Sequence, residues 1–295
     1  MYNLLFAVLF TSWLLISFRV FDLFKIDHLQ AIIFNYQVCM VTGFFFYHNY
    51  EKIAELHRLE TWILWALGTG LCFLPTFYLM AYTVKKISVT VSTIASKISL
   101  IIPVSISVLY LNSASSFSLV NSIGLLLGFA AIVMTSMRKE EKSEITMPKS
   151  KFAYFLPLLV FLGGGLVDVL VNISNYKFLP VDKSSLFPFF AFSASAFTGT
   201  VVLLYRMIFL KERLQFRNFI GGVILGIPNY LSIYFLLRAL RDFDNNGALI
   251  FPVLNICVIL LNSLVAIIFF KERTNSYNLI GLALALCSLV FMMAG

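Results

Sequence analysis

Charged residues are scarce in this chain. They make up 12% of its 295 residues, whereas about 25% are charged in a typical soluble domain. Apolar windows of roughly 16–25 residues recur from end to end, and about 20 apolar residues are needed for a helix to cross a bilayer. The ~10-residue alternating segments of an outer-membrane barrel are absent. We therefore predict an all-α polytopic protein that crosses the cell membrane several times and has the lipid bilayer as a partner.

Cysteine and histidine are also rare. The four cysteines all lie inside apolar windows, and the three histidines lie at or beyond window ends without clustering. This distribution contains neither a disulfide framework nor a metal-binding pattern. An HExxH motif, a nucleophile elbow and a Walker A motif are missing as well. We expect no metal, no cofactor and no enzymatic activity, and any energy source would be an ion gradient or the substrate gradient.

The net charge of +8 does not indicate a nucleic-acid partner, because the basic residues lie in short loops between apolar windows. Basic residues in such loops are typical of the flanks of membrane helices. The N-terminus has no basic region and no A-x-A cleavage pattern, so we interpret it as a retained first span.

We predict ten spans, divided evenly by one polar segment. The spans are about Tyr2–Ser17, Leu29–His48, Trp62–Val84, Ser88–Leu111, Phe117–Met137, Phe152–Ile173, Ser184–Tyr205, Phe219–Leu237, Gly247–Phe270 and Tyr277–Met293. The polar segment is Arg138–Lys151. The predicted organisation is therefore a five-helix unit over residues 1–137, a linker over 138–151, and a second five-helix unit over 152–295.

The two halves resemble each other in sequence. The fifth span opens with NSIGLLLG from Asn121, and the tenth opens with NLIGLALA from Asn278. The same offset, within one loop residue, sets Lys97 against Asn255. Because five is odd, the second half would insert upside down relative to the first. Two inverted five-helix repeats are typical of secondary transporters.

Small residues recur four apart in both of these openings, as Gly124 and Gly128 and as Gly281 and Ala285. Such pairs let helix backbones approach closely. They fit either packing within one chain or the face of a homodimer.

The distribution of basic residues predicts the orientation. Six Lys and Arg residues flank the side that carries both termini and fifteen flank the other, with Lys97 completing the 22. Because basic residues concentrate in cytoplasmic loops, we predict that the 138–151 linker is cytoplasmic and that both termini lie outside.

Two charges lie within predicted spans. Lys97 is roughly 14 Å from Ser88 at ~1.5 Å per residue, too deep for its side chain to reach the interface. Asp168 lies in the sixth span, and Asn172 follows it on the same helical face. A charge at this depth costs at least ~2.5–3.5 kcal/mol and usually faces a cavity or a partner. We predict that Lys97 and Asp168 bind substrate.

Other polar and aromatic residues on several spans predict a shared polar interior. The further candidates for substrate binding are Asn35, Tyr36, Tyr78, Thr93, Asn172 and Asn255. Hydrogen bonding between helices is an equal alternative for the asparagines, and packing against helices or lipid is an alternative for the tyrosines.

Short motifs identify a family resemblance. The ninth span ends in FKER (Phe270–Arg273) and is followed by YNLIG (Tyr277–Gly281). An echo follows the seventh span, where KER (Lys211–Arg213) precedes NFIG (Asn218–Gly221). Leu29–Tyr36 also looks like a second span of the same family. The chain resembles the drug/metabolite transporter superfamily, EamA-type branch.

The resemblance implies ten helices in two inverted repeats, a central cavity, and export or exchange of small metabolites. One departure is the loop Asn112–Ser115, which lacks the Glu-Arg pair. We therefore expect a secondary transporter of small metabolites, with amino acids and related compounds as one candidate class. The alternative is an intramembrane enzyme that uses Lys97 and Asp168 as acid and base.

Overall fold

The computed structural model describes residues 2–46, 60–87, 89–111, 118–136, 155–180, 183–269, 271 and 276–294. Within these ranges the chain forms helices and short connections, with no β-strand. In chain order the helices are α1 (Tyr2–Leu23), α2 (His28–Phe46), α3 (Thr61–Lys86), α4 (Val89–Ile98), α5 (Ile101–Tyr110), α6 (Leu119–Ser136), α7 (Leu156–Lys177), α8 (Leu186–Phe209), α9 (Phe216–Asp242), α10 (Gly247–Ile268) and α11 (Ser276–Ala294).

The helices have the length and composition of membrane spans. Eight segments of the described chain are long and apolar enough to cross a membrane, and Tyr2–Phe18 and Leu119–Thr135 are shorter apolar helices. This confirms the prediction of an all-helical chain compatible with a polytopic membrane protein. The count of ten spans stays a prediction.

In the fourth predicted span, Ser88–Leu111, the α-helical pattern is interrupted at Ser99 and Leu100, between α4 and α5. Leu100 keeps helical backbone angles, and Val91–Tyr110 remains one apolar segment long enough to cross a membrane. Pro103 contributes to this interruption, because it has no N–H to donate to the Ser99 carbonyl and its ring would clash with that carbonyl. That carbonyl instead accepts from the Ile102 N–H at 3.0 Å.

The chain divides into two compact units. One contains residues 1–74 and 173–245, and the other contains residues 75–172 and 246–295. Each unit contains segments from both halves of the sequence. These units are defined by contacts, whereas the predicted repeats are defined by sequence similarity, so the two divisions have different boundaries. The linker 138–151, the Glu-Arg pair of residues 272–273 and the loop 112–115 lie outside the described residues.

In the first unit the KER echo has a structural role. The Glu212 carboxylate accepts from Arg206 Nε at 2.5 Å and from Gln30 Nε2 at 2.6 Å. The Gln30 amide oxygen in turn accepts from Asn218 Nδ2 at 2.7 Å, and the Asn218 amide oxygen accepts from the Asp27 N–H at 2.9 Å. Side chains on α2 and α9 are thereby joined to the α8–α9 connection. We call these five residues the Glu212 network.

In the second unit α6 and α11 pack antiparallel through their small residues. A Cβ added to Gly124 would lie 2.9 Å from Met292, and one added to Gly281 would lie 2.8 Å from Thr135. The offset that relates Gly124 to Gly281 also relates Thr135 to Met292. Replacing each residue of the Gly124–Met292 contact by its equivalent in the other half therefore gives the Gly281–Thr135 contact. These small residues are therefore used for packing within the chain, and they give no separate argument for a homodimer.

Candidate functional site

Lys97 lies in the last turn of α4, directly before the helix interruption. A cation at this position is stabilised by the negative end of the helix dipole. The half-buried ammonium donates a hydrogen bond to the Asn255 amide oxygen on α10, with an Nζ–Oδ1 distance of 2.8 Å. The two residues that the sequence offset sets against each other are thus in direct contact.

A second hydrogen bond fixes the orientation of the Asn255 amide. Its Nδ2 donates to the Phe251 carbonyl one turn earlier, at 2.9 Å. Because the nitrogen is engaged there, the oxygen faces Lys97. The amide therefore presents an acceptor to the ammonium, which is the arrangement that suits a protonated lysine.

Asp168 on α7 belongs to the same unit and interacts electrostatically with Lys97. The two do not form a direct ion pair. Direct ion pairs in the described part of the chain include Lys183–Glu60 and Arg206–Glu212. The half-buried Asp168 carboxylate also accepts no hydrogen bond from any residue that the structure describes.

Helix α7 packs closely against the helix interruption. A Cβ added to Gly164 would lie 2.9 Å from Ser99 Oγ, and one added to Gly165 would lie 2.3 Å from Ile102 Cδ1. Larger residues would push α7 away. Asp168 follows Gly164 by one helical turn, so the face of α7 that contacts the interruption also carries the carboxylate.

Asn172 lies one further turn along α7 and is 1% exposed. Neither its amide oxygen nor its amide nitrogen has a hydrogen-bond partner within the described part of the chain. It packs against the start of α10, where a Cβ added to Gly247 would lie 2.5 Å from Asn172 Nδ2. A buried polar group without a partner costs about 1–3 kcal/mol, so this amide is an unexplained group beside Asp168.

Two other candidates in this unit have different surroundings. Thr93 lies one turn before Lys97 on α4 and is exposed. Tyr78 on α3 is 49% exposed and stacks on Tyr82, with ring centroids 6.0 Å apart. Their roles in substrate binding stay predictions.

The remaining two candidates lie in the first unit. The Asn35 amide oxygen accepts from Asn229 Nδ2 at 3.2 Å, which joins α2 to α9. Tyr36 is 0% exposed, and its ring stacks against Phe73 and Phe192. Asn35 thus makes the interhelical bond that was its structural alternative, and a substrate role for either residue stays a prediction.

In the sequence, Pro103 and the Gly163–Gly165 run indicate bends or tight crossings, but they do not locate the interruption at Ser99 and Leu100 or identify the side chains that the glycines meet. Pro103 was a usable signal, because a proline inside an apolar span frees the carbonyl four residues earlier. The Phe251 carbonyl that orients Asn255 carries no signal in the sequence.

Comparison with known proteins gives a relative of similar length and a solved structure of similar fold. No protein-family model matches it. It is 27% identical over 297 residues to an uncharacterized protein of Haemophilus influenzae, covering 98% of this chain and 96% of the relative. A solved crystal structure of a protein matches with a TM-score of 0.72 and 13% identity, covering 99% of this chain and 95% of that one. The likeness to the crystal structure shows a shared fold.

Proposed function

We propose that the protein is a secondary transporter of small metabolites that works by alternating access through a polar cavity. The observation that carries this proposal is the group formed by Lys97, Asn255 and Asp168 on three apolar helices. Charged side chains within membrane segments are costly, and they typically mark the path of a substrate or an ion. Amino acids and related compounds are the first class to test.

The helix interruption supports the same proposal. Substrate sites of secondary transporters are typically built at discontinuous membrane helices, where backbone groups are freed from the helix pattern. The half-helices α4 and α5 meet at Ser99 and Leu100, two residues after Lys97. The intramembrane lysine is therefore near the interruption in sequence.

The contacts between equivalent positions support an inverted repeat. If the halves are related by a two-fold axis, two equivalent residues that touch each other must lie close to that axis. Lys97 and Asn255 are such a pair to within one residue of the repeat offset, and the contacts of α6 with α11 follow that offset. A site on the axis is where transporters with inverted repeats bind substrate. The resemblance to the EamA-type branch predicts the same arrangement, with export as the direction.

Flux into liposomes tests the proposal. The purified protein would be reconstituted, and uptake of a panel of labelled metabolites, including amino acids, would be compared with protein-free liposomes. Lys97→Met keeps the side-chain length and removes the charge. Lys86→Met makes the same change on an exposed lysine at the end of α3 and serves as the matched control.

We expect flux of at least one class in wild type and in Lys86→Met, and a severe loss in Lys97→Met. Equal flux in both lysine variants would contradict the role of the intramembrane charge. Chemical conversion of a compound without its transport would favour the intramembrane enzyme.

Orientation is tested separately: labelling of Ser143→Cys by an impermeant reagent from outside intact cells would contradict a cytoplasmic linker.

A further inference from the structure

The connection between α8 and α9 carries a surplus of positive charge. Residues 206–217 contain four basic side chains and one acidic one, whereas residues 238–244 at the other end of α9 contain two of each. Because Arg206 is paired with Glu212, three cations remain, and none of them has a carboxylate partner among the residues that the structure describes. They are Lys211, Arg213 and Arg217, and all three are exposed.

Neighbouring groups do not neutralise this surplus. Arg217 Nε donates to the Gln215 amide oxygen at 2.6 Å, and an amide carries no charge. The α1–α2 connection, which reaches the start of α9 through the bond from Asp27 to Asn218, adds Lys25 and Asp27. These two charges are opposite, so the surplus of three is unchanged.

The Glu212 network holds the connection in a fixed conformation. Gln30 Nε2, which bonds the Glu212 carboxylate, also donates to the Arg213 carbonyl at 3.1 Å. The Glu212 N–H donates to the Arg206 carbonyl in the last turn of α8, at 3.2 Å. The only acidic side chain of the connection is therefore engaged with its own unit, while the cations on either side of it stay exposed.

Exposed apolar side chains alternate with these cations. Phe209 is 68% exposed and Phe216 is 77% exposed, and two exposed leucines lie between them. Both α8 and α9 are apolar enough to cross a membrane, so their connection lies at the boundary of the apolar region. Aromatic and basic side chains together are typical of that boundary. We call this group the α8–α9 surface: Phe209, Leu210, Lys211, Arg213, Leu214, Phe216 and Arg217.

The two kinds of side chain suit an amphiphile with an anionic head. A phosphate with an attached lipid tail can engage the cations and cover the apolar side chains together. A free phosphate would leave the apolar side chains in water, which is unfavourable. A lipid whose headgroup is neutral overall would leave the surplus of positive charge without a partner.

We infer that the α8–α9 surface binds an anionic phospholipid. Lys211, Arg213 and Arg217 bind its phosphate headgroup, and the exposed phenylalanines and leucines contact its acyl chains. This site goes beyond the proposed transport function and does not depend on it, because its residues lie in the first unit and the Lys97 group lies in the second.

Thermal shift of the purified protein in mixed micelles tests the inference. Phosphatidylglycerol would be titrated against phosphatidylcholine with the same acyl chains, and inorganic phosphate would be added alone in a third series. In wild type we expect the anionic lipid to raise the melting temperature more than the other two, and its half-saturating mole fraction should increase with salt because salt screens the attraction.

Charge-removing variants locate the site. A basic side chain near an anionic lipid surface contributes about fivefold in affinity, so Lys211→Gln, Arg213→Gln and Arg217→Gln should each raise the half-saturating mole fraction about fivefold, and the triple variant about 100-fold. The charge-conserving triple of Lys211→Arg, Arg213→Lys and Arg217→Lys should bind nearly as wild type. The matched control removes three exposed cations elsewhere, with Lys86→Gln, Lys177→Gln and Arg238→Gln, and should also bind as wild type.

Three results would overturn the inference. The first is equal stabilisation of wild type by the two lipids. The second is equal stabilisation by inorganic phosphate alone, which would make the surface a site for a free anion. The third is an equal loss of affinity in the control triple, which would show that net charge and not this surface attracts the lipid. If the triple variant is recovered poorly, the three single variants decide the same question.

Discussion

Two polar groups, one in each compact unit, contain similar residues but differ in how completely they are bonded. In the Glu212 network, the carboxylate has a guanidinium and an amide as partners, and Gln30 and Asn218 bond each other. In the second unit, Lys97 has one amide partner and Asp168 has none within the described residues. Both groups contain a carboxylate, a cation and carboxamides.

The difference indicates different uses. A fully bonded polar network stabilises one arrangement of its helices, whereas a partly bonded one is costly unless something else completes it. Residue type alone therefore does not separate a structural group from a binding site. The comparison predicts that mutations in the Glu212 network reduce stability and that mutations around Lys97 reduce transport.

The largest expected effect is the loss of transport in Lys97→Met. Removing a charge-assisted contact of up to ~3 kcal/mol should reduce flux by up to about 100-fold. The melting temperature in detergent should fall much less than the flux, because methionine fills a similar volume; Asn255 loses its donor and Asp168 loses a neighbouring opposite charge. A large fall in melting temperature with unchanged flux per folded molecule would show that Lys97 has a structural role and not a role in transport.

The next effect concerns membrane potential. With Lys97 protonated and Asp168 ionised, the two charges cancel, and reorientation of the empty site should then be insensitive to voltage. Asp168→Asn leaves one net positive charge, worth ~2.3 kcal/mol per 100 mV, so about 60 mV should shift the distribution between the two states roughly tenfold. This is an upper value, reached if the charge experiences the whole field.

Cysteine accessibility measures that shift without a known substrate. A cysteine at position 93, one turn before Lys97, would be labelled by an impermeant reagent in liposomes under potassium diffusion potentials, after the native cysteines are replaced. Asp168→Glu keeps the charge and should remain insensitive to voltage. A labelling rate that ignores voltage in Asp168→Asn, or that follows it in wild type, would contradict the charge balance.

A smaller effect is expected when the Glu212 network is broken. Gln30→Leu leaves Glu212 and Asn218 each short of a bond, at about 1–3 kcal/mol for a buried polar group. The free energy of unfolding should fall, while flux per folded molecule is retained. Gln37→Leu on the same helix is the control: it removes a single bond to Thr200, of about 1 kcal/mol, from a half-buried residue. Equal free energies of unfolding for the two variants would show that Gln30 contributes no more to stability than a single hydrogen bond does.

The sequence predicted part of this site for clear physical reasons. Charge inside an apolar span indicated Lys97 and Asp168, and helical periodicity set Asp168 and Asn172 on one face. The repeat offset related Lys97 to Asn255 as equivalent positions. It did not predict that they touch, because equivalence in sequence gives no distance between two helices.

Other features depend on tertiary packing that the sequence does not encode locally. The bond from Asn229 to Asn35 joins residues on α2 and α9, and no periodic pattern relates them. The approach of Gly164 to Ser99 depends on how α7 crosses the interruption. The interruption itself was visible as Pro103, but a proline is also found inside the continuous helices α3, α9 and α10, so its presence alone does not predict a break.

The smallest expected effect is a pH dependence of the free energy of unfolding. It comes from the ion pair between Lys183 and Glu60, which lies directly before α3. The Lys183 ammonium donates to the Glu60 carboxylate at 2.6 Å and holds the pKa of that carboxyl below its ordinary range. Because the folded state binds this proton less readily than the unfolded state, the contribution is complete above the ordinary glutamate pKa of about 4.3 and is lost as the pH falls through the lowered folded value. The carboxylate is partly exposed, so water screens the pair and limits the contribution to less than about 1 kcal/mol.

Glu60→Gln should remove this part of the pH dependence. At pH values above about 5 it should lower the melting temperature slightly, with transport unchanged. Melting curves of the two proteins between about pH 6 and about pH 3 should therefore converge at the acid end, and curves that stay parallel throughout would show that the pair contributes nothing.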